Sequence, residues 1–212
     1  MTLLPMFPLG SAMLPGQPLP LHVFEPRYRK LVRDCLDAPG DPQFGVVLIA
    51  RGTEVGGGDV RHDVGTMARI ESHVAIGDGR YELFCRTHER IKVSKWLPDN
   101  PYPIAEVCLW PDENTGTRDN DYEFHSLIER VGFLYDLLDR LAAETGNIPP
   151  DVPDITGFQG TLGTRLFEIA AYIPMGEADR LRVLAAAGAV ERLREVSEAT
   201  ENAIEMVQFR LM

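Results

Sequence analysis

The sequence predicts an α+β protein: a β-rich, barrel-like first half carrying one helix, followed by an α-helical bundle. Through residue 112 or so, apolar side chains come in short runs or alternate with polar ones, and Pro and Gly punctuate them at turn positions. From Asp121 the apolar residues recur every three to four positions instead, which is helical spacing. With 212 residues, 44% of them hydrophobic and 25% charged, the chain has the composition of an ordinary globular protein. The expected division is 1–112 for the β-rich part and 119–212 for the helical part, packed as one unit.

Residues 3–9 and 18–24 are short apolar segments separated by the Pro15-Gly16 turn signal, and their prolines suit edge positions because proline donates nothing to a ladder. Pro26 then opens a helix. Tyr28, Leu31, Val32, Cys35 and Leu36 share one face of it, and Pro39-Gly40 stops it near Asp37. Residues 44–51 (FGVVLIAR) form a continuous apolar run of strand length, the pattern of a buried central strand. The glycines at 56–58 mark a loop. Ala68, Ile70, Val74 and Ile76 are placed on one strand face, with Arg69, Glu71 and His73 on the other. Gly77-Asp78-Gly79 turns the chain, Tyr81, Leu83 and Cys85 resume the alternation, and residues 104–110 supply a last strand.

In the second half, Phe124, Leu127, Ile128, Val131, Leu134, Tyr135, Leu138, Leu141 and Ala142 keep one helical face until Gly146. A Pro/Asp-rich linker occupies 147–154. Helices are expected over 162–173, halted by Pro174, then 177–187 and 189–211, separated by Gly188. Leu193, Val196, Ile204 and Val207 mark the buried stripe of the last one, and the short loops suggest a bundle.

Several chemistries find no support. The three lysines, Lys30, Lys92 and Lys95, follow Arg, Ile and Ser, so no Gly-Lys-Ser/Thr phosphate loop exists. There is no G-x-S-x-G, H-E-x-x-H or C-x-x-C. Ser94 and Lys95 are adjacent near a strand end, where neighbouring side chains point to opposite faces. His62-Asp63 reads as a polar loop tip, and Asp112-Glu113 as a solvated acidic loop. The glycines of 54–60 lack the strand–loop–helix frame of dinucleotide binding. Cys35, Cys85 and Cys108 read as free thiols packed as small hydrophobes. No catalytic residue, cofactor or metal site is expected, so the chain reads as a non-enzyme. No apolar run reaches the roughly 18 residues of a membrane helix. Prolines break the apolar N-terminus and no Lys or Arg precedes Arg27, so no secretory signal is read and a cytoplasmic location is expected.

One segment stands out: Pro20-Leu21-His22-Val23-Phe24-Glu25-Pro26-Arg27-Tyr28-Arg29, preceded by Pro5-Met6-Phe7-Pro8-Leu9 and Leu14-Pro15-Gly16. It resembles the opening signature of the N-terminal substrate-recognition domain of Lon proteases. Phe44-Gly45-Val46-Val47-Leu48, Val64-Gly65-Thr66-Met67-Ala68-Arg69-Ile70 and Asp78-Gly79-Arg80, with Arg90 and Val93, are similar to further family segments in the same order. Residues 174–193 resemble its helical portion more loosely. Where the family usually has a Gly two residues before the returning-strand Arg, this chain has His88 after Thr87, so a differently shaped strand end is expected. The resemblance implies a PUA-like pseudo-barrel followed by helices. Lon proteins continue into an ATPase and a Ser–Lys protease, whereas this chain stops at Met212. A stand-alone, ATP-independent Lon N-terminal-like protein is therefore expected, with a peptidase label applying by name only.

The function so implied is recognition of unfolded or tagged polypeptides, alone or beside a protease, through a sheet edge or an apolar groove between barrel and bundle. His22, Phe24, Glu25, Arg27 and Tyr28 are the candidate binding or signature residues. A structural role competes for them: Glu25 near a helix N-terminus, Phe24 and Tyr28 anchoring that helix on the sheet. PUA-like barrels also include RNA-binding modules, and Arg27, Arg29, Lys30 and Arg33 share one helix. The formal net charge of -11 counts against nucleic acid.

Overall fold

The computed structural model describes residues 2–116, 120–155 and 157–212. Chain contacts divide it into two compact units, Met1–Pro111 and Asp112–Met212. The expected start of the helical part, residue 119, lies outside the described residues.

The first unit contains strands β1 (Thr2–Leu9) and β2 (Pro18–Val23), helix α1 (Pro26–Asp37), and strands β3 (Gln43–Arg51), β4 (Val60–Ile76), β5 (Arg80–Trp96) and β6 (Ile104–Leu109). Their order in the sheet is β2-β5-β4-β3-β1-β6, and a further β5–β6 pairing closes a ring of five strands from which β2 projects. Length makes this possible. The first part of β5 pairs with β2 (Val23↔Tyr81 to Pro18↔Arg86), while its last part pairs with β6 (Ile91↔Leu109 to Trp96↔Ala105). β1 runs parallel to β3 and antiparallel to β6.

The continuous apolar run of β3 has a packing cause. Phe44 and Val46 join Phe7, Leu31 and Val32 in one buried cluster, whereas Val47 joins Leu4, Met6 and Ile91 in another. Both faces of β3 are covered, so alternation is lost. Two motif glycines follow from the same crowding: a Cβ on Gly65 would run into the Val46 carbonyl, and one on Gly45 into Met6 and Ile91.

Helix α1 has Pro26 in its first turn, and buries Tyr28, Leu31, Val32 and Cys35. Each large apolar side chain so buried stabilises by roughly 1.5–3 kcal/mol. Asp34, near its end, accepts from Tyr102 Oη at 2.6 Å and pairs with Lys30 at 2.8 Å.

Several expectations are corrected. Val74 and Ile76 do not share a face with Ala68 and Ile70: the β4–β5 register shifts between Ile70 and Ser72, so Ser72 pairs with Phe84 and Val74 with Glu82. This bulge moves Val74 outside, where it is 56% exposed, while Ala68 and Ile70 stay buried. His88 does not mark a strand end. β5 runs through it, and another register shift absorbs residues 88–89. His62-Asp63 lie within β4 rather than at a loop tip, and Asp63 accepts from Trp96 Nε1 at 3.0 Å. Cys35 and Cys85 are buried free thiols, but Cys108 is exposed, because Val107 beside it takes the inward position.

The second unit contains α2 (Asp121–Thr145), α3 (Leu162–Ala170), α4 (Glu177–Ala185) and α5 (Ala189–Arg210). α2 ends at Gly146 in the left-handed conformation, φ 70°. α3 is shorter than expected: Tyr172 and Ile173 bond to Ile169 and Ala170, i→i−3, ahead of Pro174. α5 packs against α2, α3 and α4, burying Leu193, Val196, Ile204 and Val207 as the spacing predicts. Asp112 is not a solvated acid. It pairs with the fully buried Arg192 at 2.5 and 2.9 Å, and Arg192 also donates to Gly163 O and covers the Phe167 ring. A buried guanidinium requires such a carboxylate.

Candidate functional site

β1, β2 and the start of α1 enclose a cleft of about 180 Å³ in the first unit, with the 52–59 loop as its far wall. Phe7 and Leu9 come from β1, Leu21 and Val23 from β2, and Glu54 and Val55 from the loop. His22, Phe24, Glu25 and Tyr28, picked out from sequence, also line it, and Arg27 flanks it through its bonds to Glu25 and Glu54. The five candidate residues are thus brought to one place.

Their roles differ. Tyr28 is a floor residue, 3% exposed, stacked on Phe7 with ring centroids 4.1 Å apart. Burial pushes its hydroxyl well above the usual tyrosine range, and that hydroxyl has no hydrogen-bond partner among the described residues. Arg27 lies over the other part of this arrangement, its guanidinium carbon 4.4 Å from the Tyr28 centroid. It donates to Glu25 Oε2 at 3.2 Å and to the Glu54 carbonyl at 3.0 Å. Glu25 stands at the N-cap position of α1, but its carboxylate makes no capping bond. It accepts instead from Arg27 and from Gly56 N at 3.4 Å. Glu25 and Arg27 therefore tie the 52–59 loop to the helix start. A Cβ on Gly57 would press on Arg27, and positive φ at Gly52, Gly56, Gly57 and Gly58 lets the loop fold back this closely.

At the mouth, Phe24 is 49% exposed and stacks on His22. His22 Nδ1 lies 2.7 Å from Glu82 Oε1. Glu54 accepts from the Gly10 amide. Behind the loop, Arg61 binds Asp59 at 2.6 Å and Asp99 at 2.7 Å. Burial alone would raise the Asp59 pKa, but hydrogen bonds from Arg61 and from its own backbone hold it below the usual carboxylate range.

Sequence reasoning missed Glu54 and Val55. Nothing local marks them, since the loop reaches the cleft through contacts distant in sequence, with Arg27, Glu25 and Gly10. Phe7 and Leu9 were legible as part of the apolar opening segment, not as cleft walls.

The cleft holds apolar surface, the carboxylates of Glu25 and Glu54 and a committed guanidinium, and among the described residues that line it no nucleophile is set beside a base. Burial pushes the Cys35 and Cys85 thiols up to about 12, leaving them protonated at neutral pH. Ser94 donates to Glu106 O at 3.0 Å. Among the described residues no group of three or more His, Cys, Asp or Glu could hold a metal ion.

Such a barrel with a helical C-terminal part defines an α+β domain of the kind seen at the N-terminus of Lon proteases. The crystal structure of a Lon N-terminal domain protein from Xanthomonas campestris matches with a TM-score of 0.63 and 28% identity, over 92% of this chain and 97% of that one. The N-terminal domain of Mycobacterium avium complex Lon protease shares the fold, with a TM-score of 0.64 at 17% identity over 95% of this chain and 99% of that one. The chain belongs to the family described as the ATP-dependent protease La (LON) substrate-binding domain, whose model matches residues 3–202. Among curated relatives, Lon protease of Flavobacterium johnsoniae is 27% identical over 150 residues, 70% of this chain and 18% of that protein. Lon protease 2 of Myxococcus xanthus is 30% identical over 153 residues, 71% of this chain and 17% of that protein. The chain thus spans less than a fifth of the length of these relatives.

Proposed function

We propose that this chain is a non-catalytic recognition module that binds unfolded or tagged polypeptide segments in the His22–Tyr28 cleft. The carrying observation is the convergence of Phe24, Glu25 and Tyr28 with Phe7, Glu54 and Val55 around one open, partly apolar cleft, in a chain of a substrate-binding family. The proposed setting is the cytoplasm, alone or beside a protease, without ATP. No described helix is long and apolar enough to cross a membrane.

The RNA reading loses support from the same geometry. Arg27 is committed to Glu25 and Glu54, Arg29 donates to the Asp78 carbonyl, and Lys30 pairs with Asp34. Three of the four α1 cations are thus engaged, the exposed Arg33 by itself makes no stripe for phosphates, and the chain's net charge is -11.

Fluorescence anisotropy with a labelled, permanently unfolded model protein tests the proposal. Saturable binding that weakens when Phe24 is replaced by Ser is expected. Absence of saturable binding across several unfolded substrates refutes it. Casein turnover, with or without ATP, is expected to be nil, and clear turnover overturns the non-catalytic part.

A further inference from the structure

We infer that the cleft selects an extended segment in which a basic side chain stands beside an apolar one, read through side chains rather than by strand addition. This rests on the polypeptide-binding reading above and names the class of segment.

Strand addition needs main-chain donors along an open edge. β2 ends the sheet order and, among the described residues, pairs with β5 alone. Thr87 N donates to Gln17 O, so the ladder's alternation turns the main-chain groups of Leu19, Leu21 and Val23 toward β5. Pro18, Pro20 and His22 turn theirs to the open side, and two of these three lack an N–H. On β1, Met6 N donates to Pro103 O, and Pro8, which shares its orientation, lacks an N–H as well. Prolines so placed blunt an edge. An incoming strand meets His22 N–H as the lone donor on β2.

Side chains remain to do the reading, and they are of two kinds. Phe7, Phe24 and Val55 offer apolar surface, the last two being 49% and 56% exposed. Carboxylates of Glu25, Glu54 and Glu82 stand at the rim or beside it against a single guanidinium, Arg27, which is already held by Glu25, the Glu54 carbonyl and the Tyr28 ring. The local excess is negative, as is the whole chain at -11. The His22–Phe24 stack presents an exposed ring on which a guanidinium or ammonium is favoured. Tyr28 adds a buried hydroxyl without an acceptor among the described residues, a donor suited to a carbonyl of the bound chain. A cation beside an apolar group complements all of these features. An acidic segment complements none of the charged ones.

The test uses the full chain and short labelled glycine–serine peptides whose centres are Lys-Phe-Arg, Ser-Phe-Ser or Glu-Phe-Glu, followed by anisotropy at low salt. The basic peptide is expected to bind about fivefold more tightly than the acidic one. In the Glu54→Gln/Glu82→Gln variant the amide oxygens still accept from Gly10 and His22, so circular dichroism should report the parent fold. Its preference should fall toward parity, and Glu82→Gln alone should lower it part of the way. Equal binding of the basic and acidic peptides by the parent overturns this inference and leaves the proposed function standing. A preference unchanged in the folded double variant overturns the assignment to this cleft. Failure to bind any peptide or any unfolded substrate overturns both readings.

Discussion

Gly65 and Arg192 are the residues at which a single atom group decides most. Gly65 packs its backbone against the Val46 carbonyl where β3 and β4 pair, so an added methyl must push two paired strands apart. Gly65→Ala is expected to lower stability by about 3 kcal/mol, at the upper end of overpacking costs, read as a lower urea midpoint. Arg192 is the converse, a charge that packing has closed off from water. Removing its partner by Asp112→Ala leaves a buried cation beside the Gly163 carbonyl and the Phe167 ring. A loss of about 3–5 kcal/mol is expected from the same measurement. Asp59 adds a pH dependence. Its folded pKa is depressed, so its contribution is present above the unfolded carboxylate value and is lost as pH falls through the folded one. Asp59→Asn should therefore cost about 2 kcal/mol at pH 7, and the gap between variant and parent midpoints should narrow as pH falls below about 4.

At the scale of the element, β2 and β5 explain how the cleft exists at all. β5 is long enough to serve β2 at one end and β6 at the other, and β2 is left with an open side next to β1 and α1. The edge residues Pro18 and Pro20 keep that side from recruiting another strand. Replacing both by Thr restores two N–H donors to a β-prone segment. The double variant is expected to show a larger mean particle mass than the parent at equal concentration by light scattering. An unchanged mass would mean that the prolines do not protect this edge.

Across the whole molecule, acidity acts on encounter rather than on fold. A net charge of -11 attracts basic segments over distances that salt shortens, since the screening length falls from about 30 Å at 0.01 M to about 10 Å at 0.1 M. The association rate of the Lys-Phe-Arg peptide should accordingly drop several-fold across that range in stopped-flow measurements, while that of the Ser-Phe-Ser peptide stays nearly constant.

Much of this protein was legible along the chain because local physics wrote it there. Pro26 and the Tyr28–Leu31–Val32–Cys35 face specify α1, Gly146 ends α2, and the Leu193–Val207 stripe specifies the buried side of α5. The signature around Pro20–Arg29 likewise marked both the family and the residues that line the cleft. Contacts distant in sequence were not legible. The bulge after Ile70 that turns Val74 outward depends on how β4 registers against β5, and Asp112 becomes a buried-pair partner only because α5 brings Arg192 to it across 80 positions. The cleft's far wall is of the same kind: Glu54 and Val55 have no local pattern, and their loop is tied to the site by Arg27, Glu25 and Gly10. Periodicity and turn chemistry act between near neighbours, so most element positions and the buried faces of α1, α2 and α5 could be read locally. Strand register, ion pairing and the enclosure of the cleft arise between segments far apart in the chain, and those the tertiary structure decided.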